Sequence, residues 1–355
     1  DEMRETLQQV HAGNSPMSAT LPLRLIGLLP DEPSDIRAHA PAGVYIPEQQ
    51  QLYVAIDRPE SDPEAQALLV HAYVHALQDQ HFDLAPMAAR ARPTDGRPAD
   101  LALIEGDATI ATALYNSEDL SSVDWERLTD LIVEAEHPRY GDPLASCEAW
   151  SKLQRFPNEE GRLFASAVLE HGGWGALNGC YTNPPRSTEQ ILHPSRYLGP
   201  DSPSGEPDLP STVVVPDVQP LLGEGWRLLL DDTLGEFVTG LLMNQAMPEE
   251  RAWRVADGWD GDRLVVWERE DGRRVIVWRT IWDSNSDAAD FARGLKLLIP
   301  QRHVPLRPIR PPRGLPGVWW EGGSGTVNVQ RAARYVLLVR APDTNTAVNV
   351  LQGLP

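Results

Sequence analysis

His71 and His75 stand four residues apart in His-Ala-Tyr-Val-His. On a helix that spacing puts both imidazoles on one face, within reach of a single metal ion. The metal-hydrolase signature H-E-x-x-H places a glutamate after the first histidine, where it acts as general base toward the metal-bound water. Here that position holds Ala72, whose methyl group takes no proton. With nine histidines in the chain, the pair alone is a weak signal, and two buried, hydrogen-bonded histidines are the plain alternative. Two further features favour a metal. Between Glu64 and Asp79 the segment carries no Asp, Glu, Lys or Arg, so imidazoles there are costly without a partner. A second, largely apolar segment carries Glu105 in Ala-Leu-Ile-Glu-Gly-Asp-Ala, and a buried glutamate is costly unless a cation faces it. Zinc held by His71, His75 and Glu105 resolves both problems and leaves a fourth position for water.

Three motifs carry a family resemblance. Residues 71–84, HAYVHALQDQHFDL, resemble the motif helix of the gluzincin metallopeptidases, the thermolysin-like clan. The closer resemblance is to small bacterial and archaeal gluzincin-type proteins that share an H-E-x-x-H-A-L-Q-D-Q helix, an E-G-D-A helix and a P-P-x-S-T-E-Q-I-L-H-P segment. The last is matched here by residues 184–194. The resemblance spans roughly residues 40–245 and implies a thermolysin-like α+β core with a helix-rich subdomain. It implies zinc on His71, His75 and Glu105, and a peptide or protein substrate. It also implies His193 and Tyr197 as donors to the oxyanion, with Tyr181 a weaker alternative. The expected support for the histidines is Asp79 or Asp107, because ligand imidazoles donate their second nitrogen to such groups. Thr109 stands where gluzincins carry a carboxylate, four residues past the ligand glutamate. Gly106 is read as permitting close helix packing. The hairpin at 44–56 is read as the strand pair that borders the cleft and pairs with extended substrate.

The departure at Ala72 makes the expected protein a zinc metallopeptidase in a silenced form, by a Glu-to-Ala exchange or as an inactive homologue. A non-catalytic peptide-binding pseudopeptidase that keeps the metal is the alternative. A structural zinc site would need a fourth protein ligand, and metal-dependent hydrolysis of another bond is the remaining option.

The elements that position these residues follow from the pattern. Val44–Ile46 and Leu52–Ile56 read as a hairpin. Ser61-Asp62-Pro63-Glu64 has capping-box spacing and starts a helix to about His81. Further helices are expected at 2–11, 99–115, 121–136, 160–172, 234–243, 287–298 and 343–352. Residues 199–222, rich in Pro, Ser, Gly and Asp, read as a surface connection. Strands are expected at 263–268 and 274–278 around Glu270-Asp271-Gly272, and at 325–330 and 334–340, with a Pro-rich break at 305–316. Eight of the eleven tryptophans fall from Trp226 onward. The organisation expected is a gluzincin-like domain at 1–245 followed by an α+β region at 246–355.

At 355 residues the chain can bury a substantial core. A net charge of −20 argues against a nucleic-acid partner, whose phosphates attract Lys and Arg. No stretch approaches the roughly twenty apolar residues of a membrane span. The missing initiator Met makes an extracytoplasmic location, secreted or lipid-anchored after leader removal, the expectation, with the cytoplasm as the alternative. Cys147 and Cys180 are too few for a disulfide framework; one bridge or two buried thiols are both open.

Overall fold

Helical and alternating segments separate along the chain into two compact units. A computed structural model describes residues 16–30, 43–47, 49–54, 62–89, 93–117, 119–136, 144, 147–199, 205–301 and 306–354. The helix expected at 2–11 lies outside the described residues. The architecture is mixed α+β, with 55% of the described residues helical and 19% in strands. Residues 1–92 and 96–208 form the first unit; residues 93–95 and 209–355 form the second. The division therefore falls at 208, before the 245 that the sequence suggested. The reason is that a strand at Trp226–Asp232 and a helix at Gly235–Asn244 belong to the second unit's sheet system.

In the first unit, α1 (Pro16–Leu25) precedes an antiparallel hairpin, β1 (Gly43–Ile46) with β2 (Gln51–Val54), in register Val44 to Tyr53. Next come α2 (Pro63–Phe82), the short α3 (Leu84–Ala89) and α4 (Gly96–Asn116). The motif helix α2 is capped by Asp62, which accepts from the Glu64 amide, with Pro63 in the first turn where no amide is missed. It stops at Asp83, whose φ of 55° is left-handed. The helix expected at 121–136 divides into a 3₁₀ turn, Leu120–Ser122, and α5 (Trp125–Glu136).

α6 (Glu148–Thr182) extends beyond the expected 160–172 at both ends. At Gly172-Gly173, where the expected helix ends, the backbone is non-helical and divides α6 into two helical segments. Gly173, at φ 63° and ψ −165°, holds a conformation open in practice to glycine alone. The helix then resumes and carries Tyr181 on its last turn. α7 (Thr188–Leu192), capped by the Ser187 hydroxyl, and α8 (Pro194–Leu198) close the unit. α4 and α6 meet backbone to backbone. A side chain on Gly106 would run into the Gly161 carbonyl, and one on Gly161 into that of Ala102. Gly106 thus takes the packing role its sequence context suggested.

In the second unit, α9 (Gln219–Leu222) leads into β3 (Trp226–Asp232), α10 (Gly235–Asn244), α11 (Glu249–Ala256), β4 (Trp259–Arg269), β5 (Arg274–Trp282) and α12 (Asn285–Leu298). β6 (Arg307–Ile309), β7 (Val318–Gly322), β8 (Gly325–Ala332), β9 (Tyr335–Ala341) and α13 (Thr344–Gln352) complete it. The seven strands form one antiparallel sheet in the order β3-β4-β5-β9-β8-β7-β6. Both faces of its centre are covered, so the strands read as continuous apolar runs. Val265, Trp267, Val275 and Val277 pack with Ala347, Val350 and Leu351 of α13. Trp278 faces the other way and meets Phe291 of α12 edge-on at 5.4 Å.

The 199–222 connection is less superficial than its composition suggested, since Val213, Val215 and Val218 are buried. β6 lies inside the Pro-rich break, pairing Pro308 with Trp320 at the sheet edge, the place where a missing amide is tolerated. Cys147 and Cys180 are both free thiols. Among the described residues no helix is long and apolar enough to cross a membrane.

Candidate metal centre

α2 and α4 pack so that His71, His75 and Glu105 face one another. His71 Nε2 lies 3.1 Å from Glu105 Oε2, His75 Nε2 lies 3.4 Å from the same oxygen, and the two Nε2 atoms are 3.2 Å apart. A tetrahedral zinc with bonds of about 2.0–2.1 Å spaces its donors roughly 3.3 Å apart. The three atoms are therefore spaced like three corners of such a tetrahedron. The rings meet edge-on, with centroids 4.6 Å apart. His71 is buried, while His75 and Glu105 keep partial exposure.

The hydrogen-bond partners decide where the imidazole protons are. His75 Nδ1 faces Gln78 Oε1 at 2.9 Å, an acceptor, so Nδ1 carries the hydrogen. His71 Nδ1 faces Thr112 Oγ1 at a long 3.4 Å. The Thr112 hydroxyl spends its hydrogen on the Ala108 carbonyl at 2.7 Å, so it can only accept from the ring. In neutral imidazoles both Nε2 atoms then present lone pairs to each other and to a carboxylate oxygen. Three lone pairs within 3.4 Å repel unless a cation lies among them. Burial pushes the Glu105 carboxyl up, and only positive charge on the facing His75 and His71 rings outweighs it and holds the group far below the usual carboxylate range; without a metal, an imidazolium proton is the cation that serves. Asn158 of α6, itself buried, donates from Nδ2 to Glu105 Oε2 at 3.2 Å.

The other expected residues have different places. Ala72 is buried beside His71 on α2. Asp79 is not drawn to a histidine: it accepts from the Tyr45 hydroxyl at 2.6 Å and the Leu84 amide at 2.9 Å, tying the hairpin and the helix end to α2. Asp107 sits one step behind the histidine. Its Oδ2 accepts from Gln78 Nε2 at 2.8 Å and from Tyr181 at 2.7 Å, so its support reaches His75 through the glutamine. Thr109 is buried with its hydroxyl making no hydrogen bond, and Thr112 meets His71 in its stead.

His193 is not one of the candidate ligand residues that gather with His71, His75 and Glu105. His193 joins α7 to α8, its amide bonded to the Glu189 carbonyl. Burial and Glu159 push the nearby Glu160 carboxyl up, against the pull of Arg162 and His193. Tyr197 donates to the Asn183 carbonyl at 2.6 Å. Tyr181 is the tyrosine next to the cluster; burial and then Asp107 drive its phenol far above the usual range, so it stays a donor.

Gln78, Thr112 and Asn158 were not singled out from the sequence. Gln78 had a readable signal, three residues past His75 on the same helix face. Thr112 and Asn158 had none, since they meet the ligands only through the packing of α4 and α6.

A family model described as a domain of unknown function (DUF8575) matches residues 227–351, within the second unit. No curated protein and no solved structure matches the chain.

Proposed function

We propose that the first unit is a zinc-dependent hydrolase of gluzincin type acting on peptide bonds, present here in a silenced form. The observation that carries the reading is the convergence of two imidazole lone pairs and one carboxylate oxygen at 3.1 to 3.4 Å from one another, with both second nitrogens committed to other partners. Two nitrogens and one oxygen at tetrahedral spacing suit zinc, and three protein ligands leave a position for water or substrate. Zinc held there supplies Lewis acidity, polarising a carbonyl and acidifying water.

The chain's own residues do the rest. His71 and His75 present Nε2 because Thr112 and Gln78 occupy Nδ1, and Asn158 orients the Glu105 carboxylate. Position 72, adjacent to a ligand, is where a glutamate would shuttle the proton from water to the leaving amine; Ala72 leaves that transfer without a carrier. Loss of a positioned base lowers rates by about two to four orders of magnitude. Ala72 equally favours a second reading, a peptide-binding protein that keeps the metal.

The test is metal analysis of the purified protein together with an Ala72→Glu variant assayed on mixed peptides, with and without chelator. The expected result is one zinc per chain, lost in His75→Ala, and chelator-sensitive cleavage in the glutamate variant. A zinc-loaded glutamate variant that stays inert hands the case to the binding protein. A chain that takes up no zinc overturns both.

A further inference from the structure

We infer that Gln78 is the positioning residue that locks His75 in the Nδ1–H tautomer, and that Asp107, Tyr181 and the Ile104 carbonyl lock Gln78 in turn. The amide lies 3% exposed in a cage that reads only one way. Its Nε2 points at three oxygens: Asp107 Oδ2 at 2.8 Å, Tyr181 Oη at 2.9 Å and Ile104 O at 3.0 Å. Tyr181 has already given its hydrogen to Asp107 Oδ2, so toward Gln78 it is an acceptor. A reversed amide would set Oε1 against a carboxylate, a carbonyl and a phenol oxygen with no spare hydrogen, at a steep cost in a buried site. The amide therefore keeps Oε1 toward His75, 2.9 Å from Nδ1. An oxygen there accepts only from Nδ1–H, and a neutral ring then leaves Nε2 without a hydrogen.

The consequence for the metal rests on the reading proposed above. A bare Nε2 is the ligating form; the opposite tautomer would aim N–H into the cluster and block it. The partner is also a neutral amide, where ligand histidines often donate to a carboxylate. Asp107 acts one bond further off, through an amide. His75 is thus oriented without the added negative charge that would make it a stronger donor and the metal a weaker acid. The side chain of Phe82 stacks flat on Tyr181, with centroids 3.9 Å apart and 4° between the planes, so the phenol at the end of this chain of bonds is fixed as well.

The test uses long-range ¹⁵N–¹H spectra of the whole chain without metal, where the two ring nitrogens report the tautomer directly, and zinc affinity by competition with a chromogenic chelator. The wild-type spectrum is expected to show His75 as Nδ1–H. Gln78→Met, close in shape and without an acceptor oxygen, is expected to give a mixture of tautomers and about 10- to 100-fold weaker zinc binding. Tyr181→Phe keeps the stack on Phe82 and removes one lock. It is expected to give a smaller loss in the same direction, and it serves where Gln78→Met fails to fold. A His75 that remains wholly Nδ1–H in these variants, with affinity within twofold of wild type, overturns the inference. A wild-type chain that binds no zinc while its tautomer still follows Gln78 sinks the metal reading and leaves the inference standing.

Discussion

On the proposed reading, removing zinc should lower the stability of the first unit. The candidate ligands come from two helices: His71 and His75 from α2, and Glu105 from α4, 30 or more positions along the chain. Unfolding separates them and leaves at most the histidine pair, so zinc binds the folded unit far more tightly than the unfolded chain. Binding free energy then appears as folding free energy. With free zinc 100- to 1,000-fold above Kd the gain is about 2.7 to 4.1 kcal/mol. For a unit of about 200 residues, at about 2–4 °C per kcal/mol, this is a Tm shift of roughly 5–16 °C. Differential scanning calorimetry with zinc and then with excess chelator measures it. His75→Ala should abolish the shift, and Ala72→Glu should keep it, since position 72 supplies no ligand. A first transition that moves by less than about 1 °C between zinc and chelator would refute the claim that the three groups share a cation.

Three other outcomes follow from the packing. Gly106→Ala should destabilise the first unit by about 1–3 kcal/mol in urea titrations, because its methyl meets the Gly161 backbone and not a movable side chain. Gly173→Ala should cost about 1–3 kcal/mol by the same measurement, since φ 63° with ψ −165° strains any residue with a Cβ; an unchanged midpoint would mean the kink is not required. In the second unit, burial raises the Asp262 carboxyl to about 6 against the pull of the Leu234 and Gly235 amides and the Trp278 and Trp259 indoles. Its folded value lies above the unfolded one, so its contribution is fully present below about pH 4 and is lost as pH rises through 6. That loss is roughly 3 kcal/mol, and the slope should flatten by about that amount in Asp262→Asn when stability is followed from pH 4 to 7.

The parts of the fold that could be read from sequence are those whose signal is local. The cap ahead of α2 was legible as a Ser-Asp-Pro-Glu cluster, and Asp62 makes the contact. The β4–β5 reversal was legible at Asp271-Gly272, and α12 and α13 from their apolar spacing. β3 and β6 were missed for opposite reasons. β3 ends in Asp231-Asp232 and alternates poorly, while β6 is three residues around a proline at a sheet edge. Both exist because a neighbouring strand offers them a ladder. The 208 boundary was hidden likewise: α10 is as apolar as α2 and α4, and nothing local says which core it joins.

In the candidate metal centre the same division holds between what spacing dictates and what packing supplies. Two histidines at i and i+4 announce a shared target, and a glutamate inside an apolar helix announces a need for positive charge. The support around them was assigned to carboxylates, because a charged partner is the obvious one for an imidazole. The chain places its carboxylates one step away. Asp79 holds the hairpin, Asp107 holds an amide, and the groups that touch the ligands are Gln78, Thr112 and Asn158. Neutral partners are invisible to charge-based reading. They also suit a centre whose only ligand charge is one carboxylate, because they fix geometry without drawing down the metal's acidity. None of that support passes through position 72. On the proposed reading the cradle can therefore form without a base at position 72, and Ala72 would change the chemistry of the site and not its geometry.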